Sequence, residues 1–152
     1  MNPEYIILHH SLTKDSETVS WGVIRKYHVH DLGWRDIGYH FGIELLRGDY
    51  EALMGRMMTD SGAHCPQGGM NGKSLGVCFI GNFDEAPPAT GLWKLGIKLV
   101  SSLCSIFNIP RNHVGGHREY NPAKTCPGKL FDLDVFRTDL KWANSALRNG
   151  GY

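Results

Sequence analysis

Two short apolar runs, far apart in the chain, constrain the fold more than any other feature. Tyr5-Ile6-Ile7-Leu8-His9-His10 and Leu75-Gly76-Val77-Cys78-Phe79-Ile80 are too short for typical helices and are followed by turn residues, so both read as buried strands, the second a central one. Helical periodicity occupies other stretches. Thr18 or Ser20 is positioned to cap a helix carrying Trp21, Ile24, Tyr27 and His28, with Gly33 at its end. Leu92, Leu95, Leu99, Leu103 and Ile106 recur at steps of three and four and predict the longest helix, capped by Thr90 and stopped by Asn108 and Pro110. A last helix is predicted after Asp132, burying Val135, Phe136 and Leu140. Gly38 to Leu46 and Glu51 to Met54 flank Arg47-Gly48-Asp49 as a hairpin, and Ser61 to Lys73 forms a long glycine-bearing loop of the kind that tends to be functional. This mixed order predicts an α/β layer structure, and without repeats or linkers residues 1–152 read as one domain.

The composition of the 152 residues narrows the classes of function. Hydrophobic content of 41% and charged content of 20% are globular values, and a formal net charge of +1 gives no electrostatic reason to expect nucleic acid or an anionic membrane as partner. The start, Met1-Asn2-Pro3-Glu4-Tyr5, lacks the basic and apolar regions of a signal peptide, and no run is long enough to span a bilayer. Synthesis in the cytoplasm is therefore expected, with Cys65, Cys78, Cys104 and Cys126 as free thiols.

Chemistry concentrates in Gly116-His117-Arg118-Glu119-Tyr120-Asn121-Pro122-Ala123-Lys124-Thr125-Cys126-Pro127-Gly128, which sets an imidazole, an ammonium and a thiol along one irregular segment. A second imidazole source, His9-His10, ends the first strand. Two histidines and one cysteine from separate segments make up a three-ligand zinc site with its fourth position open to water, as hydrolytic sites require. His9 and His10 point to opposite faces of a strand, so at most one serves, and spacing does not choose between them. A lone histidine or buried thiol is more often inert; the combination, with one ligand on a rigid strand end, sets the metal reading level with the inert one. Gly72-Lys73-Ser74-Leu75-Gly76 matches a nucleophile-elbow pattern, but a loop precedes it and a strand follows, the reverse of the context that motif needs.

These segments carry a resemblance to a known family. Ile6-Ile7-Leu8-His9-His10-Ser11, Gly33-Trp34-Arg35-Asp36-Ile37-Gly38-Tyr39-His40-Phe41, Ser74 to Phe83, and Gly116-His117-Arg118-Glu119 with Lys124-Thr125-Cys126-Pro127 together resemble four ordered blocks of the zinc-dependent N-acetylmuramoyl-L-alanine amidases of the phage T7 lysozyme and peptidoglycan-recognition-protein type. The resemblance implies a central mixed sheet flanked by helices, one Zn2+ per chain held by His9, His117 and Cys126, and catalytic roles for Tyr39 and Lys124. The implied reaction cleaves the amide between N-acetylmuramic acid and L-alanine in peptidoglycan. Zinc held by two neutral imidazoles and a thiolate keeps a net charge near +1, so a phenol donor at Tyr39 and a cation at Lys124 would be useful beside the oxyanion. From the residues alone, Tyr39 reads as a half-buried sheet aromatic and Lys124 as a solvated loop charge; the catalytic roles are what the resemblance implies.

His64 resembles a family histidine beside the cleft and Asn71 a substrate-contacting asparagine, so both are expected to bind substrate. The stretch between them, Cys65-Pro66-Gln67-Gly68-Gly69-Met70, departs from the family pattern, and Cys65 reads as an exposed thiol there. His28, His30, His40 and His113 are assigned to packing or solvent. The expected role is a monomeric phage or prophage endolysin, made without a signal peptide and acting on the bacterial wall. The alternatives are a cytosolic muropeptide-recycling amidase, against which Cys126 counts because those enzymes usually carry aspartate there, and a non-catalytic peptidoglycan-binding module.

Overall fold

The computed structural model describes residues 1–13 and 20–148, with side chains up to residue 140. Among these residues five strands form one mixed sheet: β1 (Tyr5–His10), β2 (Phe41–Leu46), β3 (Asp49–Met54), β4 (Ser74–Phe79) and β5 (Val114–Gly116), in the order β3-β2-β4-β1-β5. β2, β4, β1 and β5 run parallel, and β3 pairs antiparallel with β2. The hairpin turns at Arg47 and Gly48, both at positive φ (53° and 95°), the backbone a two-residue turn needs to follow the strand twist. It starts at Phe41 rather than Gly38, because the main chain at Gly38 to His40 bonds to loop residues and β4 instead of to β3.

Among the described residues, three α-helices flank the sheet: α1 (Trp21–Lys26), α2 (Thr90–Phe107) and α3 (Leu133–Arg148). Ser20 caps α1, its hydroxyl accepting from the Val23 N–H, and the helix continues as a π-helical turn over Tyr27–Asp31 before Gly33 at φ 68°. The alternative cap, Thr18, lies outside the described residues. Thr90 is the first residue of α2 and gives no cap; Ala89 precedes it in extended conformation. Asn108 closes α2 in the left-handed region.

Strand alternation sorts the side chains into two layers. Ile6 and Leu8 of β1, Leu75, Val77 and Phe79 of β4 and Val114 of β5 join Leu92, Val100 and Leu103 of α2 and Phe136 and Leu140 of α3 in the main core. Each fully buried side chain of this kind contributes about 1.5–3 kcal/mol. Two helix faces differ from expectation. Ile106 is 64% exposed and Val135 48% exposed, whereas Gly96 and Phe136 meet Phe79. A Cβ on Gly96 would come within 2.5 Å of the Phe79 ring, so α2 lies against the sheet along Leu92-Gly96-Val100-Leu103 and turns Ile106 to solvent. On α3, Asp132 Oδ1 accepts from the Asp134 and Val135 N–H groups, which leaves Val135 on the outer side of the first turn. The opposite sheet face carries Ile7, His9, Gly76 and Cys78, covered by Trp21, Ile37, Cys65 and Met70.

Candidate metal centre

His9 is the next-to-last residue of β1, on the face away from α2 and α3, and pairs in register with Cys78. Leu8 pairs with Gly116 of β5, so one step further along both strands brings His117 beside His9, with ring centroids 5.0 Å apart. Cys126 arrives from the following loop, its Sγ 3.6 Å from His9 Nδ1. One ligand atom from each of His9, His117 and Cys126 lies within 4.8 Å of the others, and all three residues are buried. His10 points the other way, its ring 6.0 Å from that of Phe83, and accepts the Phe83 N–H at Nδ1. The alternation of the strand thereby chooses His9.

The donor chemistry fits a zinc ion. Burial, with the neighbouring imidazoles His64 and His117 adding to it, holds the His9 pKa well below its usual value. Burial and the Lys124 charge lower His117 in the same direction, so both imidazoles are neutral, as ligands must be. Burial pushes the Cys126 thiol up to about 12, against the His10 N–H 3.1 Å away and the Lys124 charge, which favour the thiolate. A coordinated cation supplies what burial takes away, because it deprotonates a ligating thiol outright. One soft sulfur and two nitrogens in a buried cluster are the donors zinc prefers.

The loop bearing Cys126 is fixed from both sides. Asp84 accepts from Thr125 Oγ1 at 2.7 Å and from the Lys129 N–H at 2.8 Å. The Arg118 guanidinium donates to the carbonyls of Thr125, Gly128 and Phe131, and the Arg118 N–H to the carbonyl of Cys126. The Cys126–Pro127 peptide is cis.

Tyr39 stands at the edge of the cluster, its ring 5.1 Å from that of His9 and 5.7 Å from that of His28. Burial chiefly, with the Cys78 and Cys126 thiols nearby, raises its pKa well above 10, so the phenol keeps its proton and can act as a donor. The segment leading to Tyr39 is held by Arg56, whose guanidinium donates to the carbonyls of Ile37, Ser61 and Asp36. Beyond Tyr39 a groove of about 400 Å³ is lined by Val23, Ile24, Tyr27 and His28. Lys124 is exposed on the Cys126 loop, and its charge reaches both His117 and Cys126.

His64 and Asn71, the two residues expected to bind substrate, lie next to the cluster, His64 buried and Asn71 half-buried. His64 is buried behind His9, Nδ1 to Nε2 at 3.0 Å, and Asn71 Oδ1 accepts from the His64 and Cys65 N–H groups at 2.8 Å each. Cys65 is buried rather than exposed, its thiol donating to Gln67 Oε1. Gln67, Cys78, Asp84 and Arg118 had no signal in the sequence alone, because each owes its place to a partner from a distant segment.

Fold and site together define an α/β domain with a His–His–Cys cluster beside the carboxyl ends of its parallel strands. The sequence pattern of the N-acetylmuramoyl-L-alanine amidase family matches residues 1–129, and the chain belongs to that family. It is 32% identical over 146 residues to peptidoglycan-recognition protein SC2 of Drosophila melanogaster, covering 92% of this chain and 74% of the relative. It is 38% identical over 80 residues to the endolysin of Escherichia phage T7, covering 53% and 49%. Among solved structures, the endolysin amidase LysCS from Clostridium intestinale superposes with a TM-score of 0.77 at 30% identity, covering 92% of this chain and 84% of its own. Bumblebee PGRP-SA gives 0.74 at 31% identity, covering 89% and 81%.

Proposed function

We propose that the protein hydrolyses the amide between N-acetylmuramic acid and L-alanine in peptidoglycan, with one zinc ion held by His9, His117 and Cys126, and that residues 1–152 act as one amidase domain. The observation that carries this reading is the convergence of three ligand atoms within 4.8 Å, the thiol of Cys126 among them. Bound there, zinc would supply Lewis-acid polarisation and a more acidic water. Tyr39 would donate its phenolic proton in a hydrogen bond to the oxygen that gains charge as the amide is attacked, a role its raised pKa suits. Lys124, on the Cys126 loop, would add positive charge beside the cluster, offsetting the charge of the thiolate. The family and the endolysin relatives support a peptidoglycan substrate, and we assign the chain to lysis of the bacterial wall in the manner of a phage endolysin, acting as a monomer.

A second reading is favoured by the recognition proteins that match 92% of the chain: a module that binds peptidoglycan without cutting it. Digestion of purified peptidoglycan, with and without a chelator and with products read by mass spectrometry, separates the two. Stem peptides beginning at L-alanine, with intact glycan strands, lost on chelation and restored by zinc, are the expected result. Wall binding without cleavage by a zinc-loaded sample would establish the recognition module instead.

A further inference from the structure

His9 and His117 each have a second ring nitrogen, and two side chains of the loop between Ser61 and Lys73 engage them, one each. His9 Nε2 lies 3.0 Å from His64 Nδ1, and His117 Nε2 lies 3.3 Å from Gln67 Oε1. Groups that can only accept fix the protons. His64 Nε2 is 3.4 Å from the Ser74 carbonyl, so that nitrogen carries hydrogen and Nδ1 is left bare. His9 must then present Nε2–H to it, which leaves the His9 lone pair on Nδ1, the atom 3.6 Å from Cys126 Sγ. Gln67 Oε1 takes the His117 Nε2–H and the Cys65 thiol together, a pair of donors that sets the amide orientation. The lone pair of His117 is thereby also on Nδ1.

The loop is built for this purpose. A Cβ on Gly62 would lie 2.3 Å from the His64 ring and one on Gly76 2.7 Å from it, so the imidazole is clamped between loop backbone and β4 in a slot only glycines leave open. Asn71 ties down the main chain at His64 and Cys65. His40 props the ring edge-on at 5.7 Å, itself fixed by accepting the Gly76 N–H and by its bond to the Asp60 carbonyl.

We propose that this loop sets the metal affinity of the site, His64 and Gln67 holding His9 and His117 in the tautomers that leave the Nδ1 lone pairs free for the metal. The inference rests on the His–His–Cys reading above. Partners that orient ligating histidines typically change metal affinity by about 10–100-fold when removed.

Competition with a chromophoric chelator on the full chain measures zinc affinity directly. His64→Ala and Gln67→Ala are expected to weaken zinc by about 10–100-fold each. His64→Asn, which keeps an acceptor oxygen near the place of Nδ1, should recover most of the loss, and Gln67→Glu should bind at least as tightly as wild type. Nitrogen-15 shifts of the metal-free protein should report His9 and His117 protonated at Nε2. Gln67 is only half-buried, so its variants keep the test open should His64→Ala fail to fold. Tight zinc binding by wild type with unchanged affinity in the Gln67 and His64 variants, or a His9 protonated at Nδ1, would overturn this inference alone. A wild-type protein that binds no zinc would overturn the metal reading as well.

Discussion

Thr125 Oγ1 donates to Asp84 Oδ2 at 2.7 Å, tying the residue before Cys126 to the turn that follows β4. The same carboxylate accepts the Lys129 N–H, so one side chain spans the loop on both sides of the thiol. Burial would raise the Asp84 pKa, but the bonds from Thr125 and Lys129 outweigh it and the net shift is downward. Hydrogen bonds to charged groups contribute about 1.5–3 kcal/mol. Asp84→Ala should therefore lower the melting temperature by several degrees, at about 2–4 °C per kcal/mol for a chain of this size. Calorimetry on wild type and variant checks it, and an unchanged midpoint would show that Arg118 alone holds the loop.

Tyr39→Phe removes one hydroxyl and leaves the ring packed on His9 and Trp21. Loss of a single oxyanion donor costs about 10²–10³ in turnover, and we expect that loss here. Lys124→Ala should cost a comparable factor, since its charge reaches both His117 and Cys126. Zinc content, measured by metal analysis on the same samples, should stay at one per chain. Stoichiometric zinc with full activity in either variant would remove that residue from the chemistry.

The strands were legible because their signals are local: the apolar run at Tyr5–His10 matches β1 over its whole length. The convergence of His9, His117 and Cys126 was legible only because short motifs mark all three, although residues 9 and 126 are far apart in the chain. What sequence concealed is of another kind. Val135 and Ile106 have the right spacing for a buried face, but the seating of α2 depends on Gly96 and Phe79 meeting across two elements, and the Asp132 cap leaves Val135 on the outer side of α3. His64 has the neighbours of a cleft residue, yet the glycines that draw its ring inward, Gly62 and Gly76, come from two different segments.

The ion pair between Arg25 and Asp36, at 2.7 Å, joins α1 to the segment approaching Tyr39 and gives stability a defined pH dependence. The bond from Arg25 holds the Asp36 carboxyl below its usual 3.8 despite partial burial, with the Ile37 N–H adding to the effect. A carboxylate whose folded pKa is depressed stabilises the fold above its unfolded pKa and loses that contribution as pH falls through the folded value. Wild type should therefore exceed Asp36→Asn in stability at neutral pH, and the gap should close below about pH 4. Both groups are partly exposed, so the gap is expected to be small, up to about 1 kcal/mol, and to shrink with added salt. Urea melts of the two proteins at neutral and acid pH decide this; a gap that widens on acidification would contradict it.

Removal of metal should be felt by the whole fold, because the three ligands come from β1, the end of β5 and the Cys126 loop. An ion that binds only the native state stabilises it by RT ln(1 + [L]/Kd), about 2.7 kcal/mol at a free concentration 100 times Kd. Chelation should then lower the melting temperature by roughly 5–11 °C, at about 2–4 °C per kcal/mol. Cys126→Ala removes the one sulfur ligand while its neighbours Thr125 and Arg118 keep their bonds to Asp84 and to the loop carbonyls. In that variant the chelator-dependent shift should largely vanish and peptidoglycan cleavage should be lost. A scan of wild type and Cys126→Ala, each with zinc and with chelator, provides the four midpoints required. Equal shifts in both proteins would mean that Cys126 does not hold the ion.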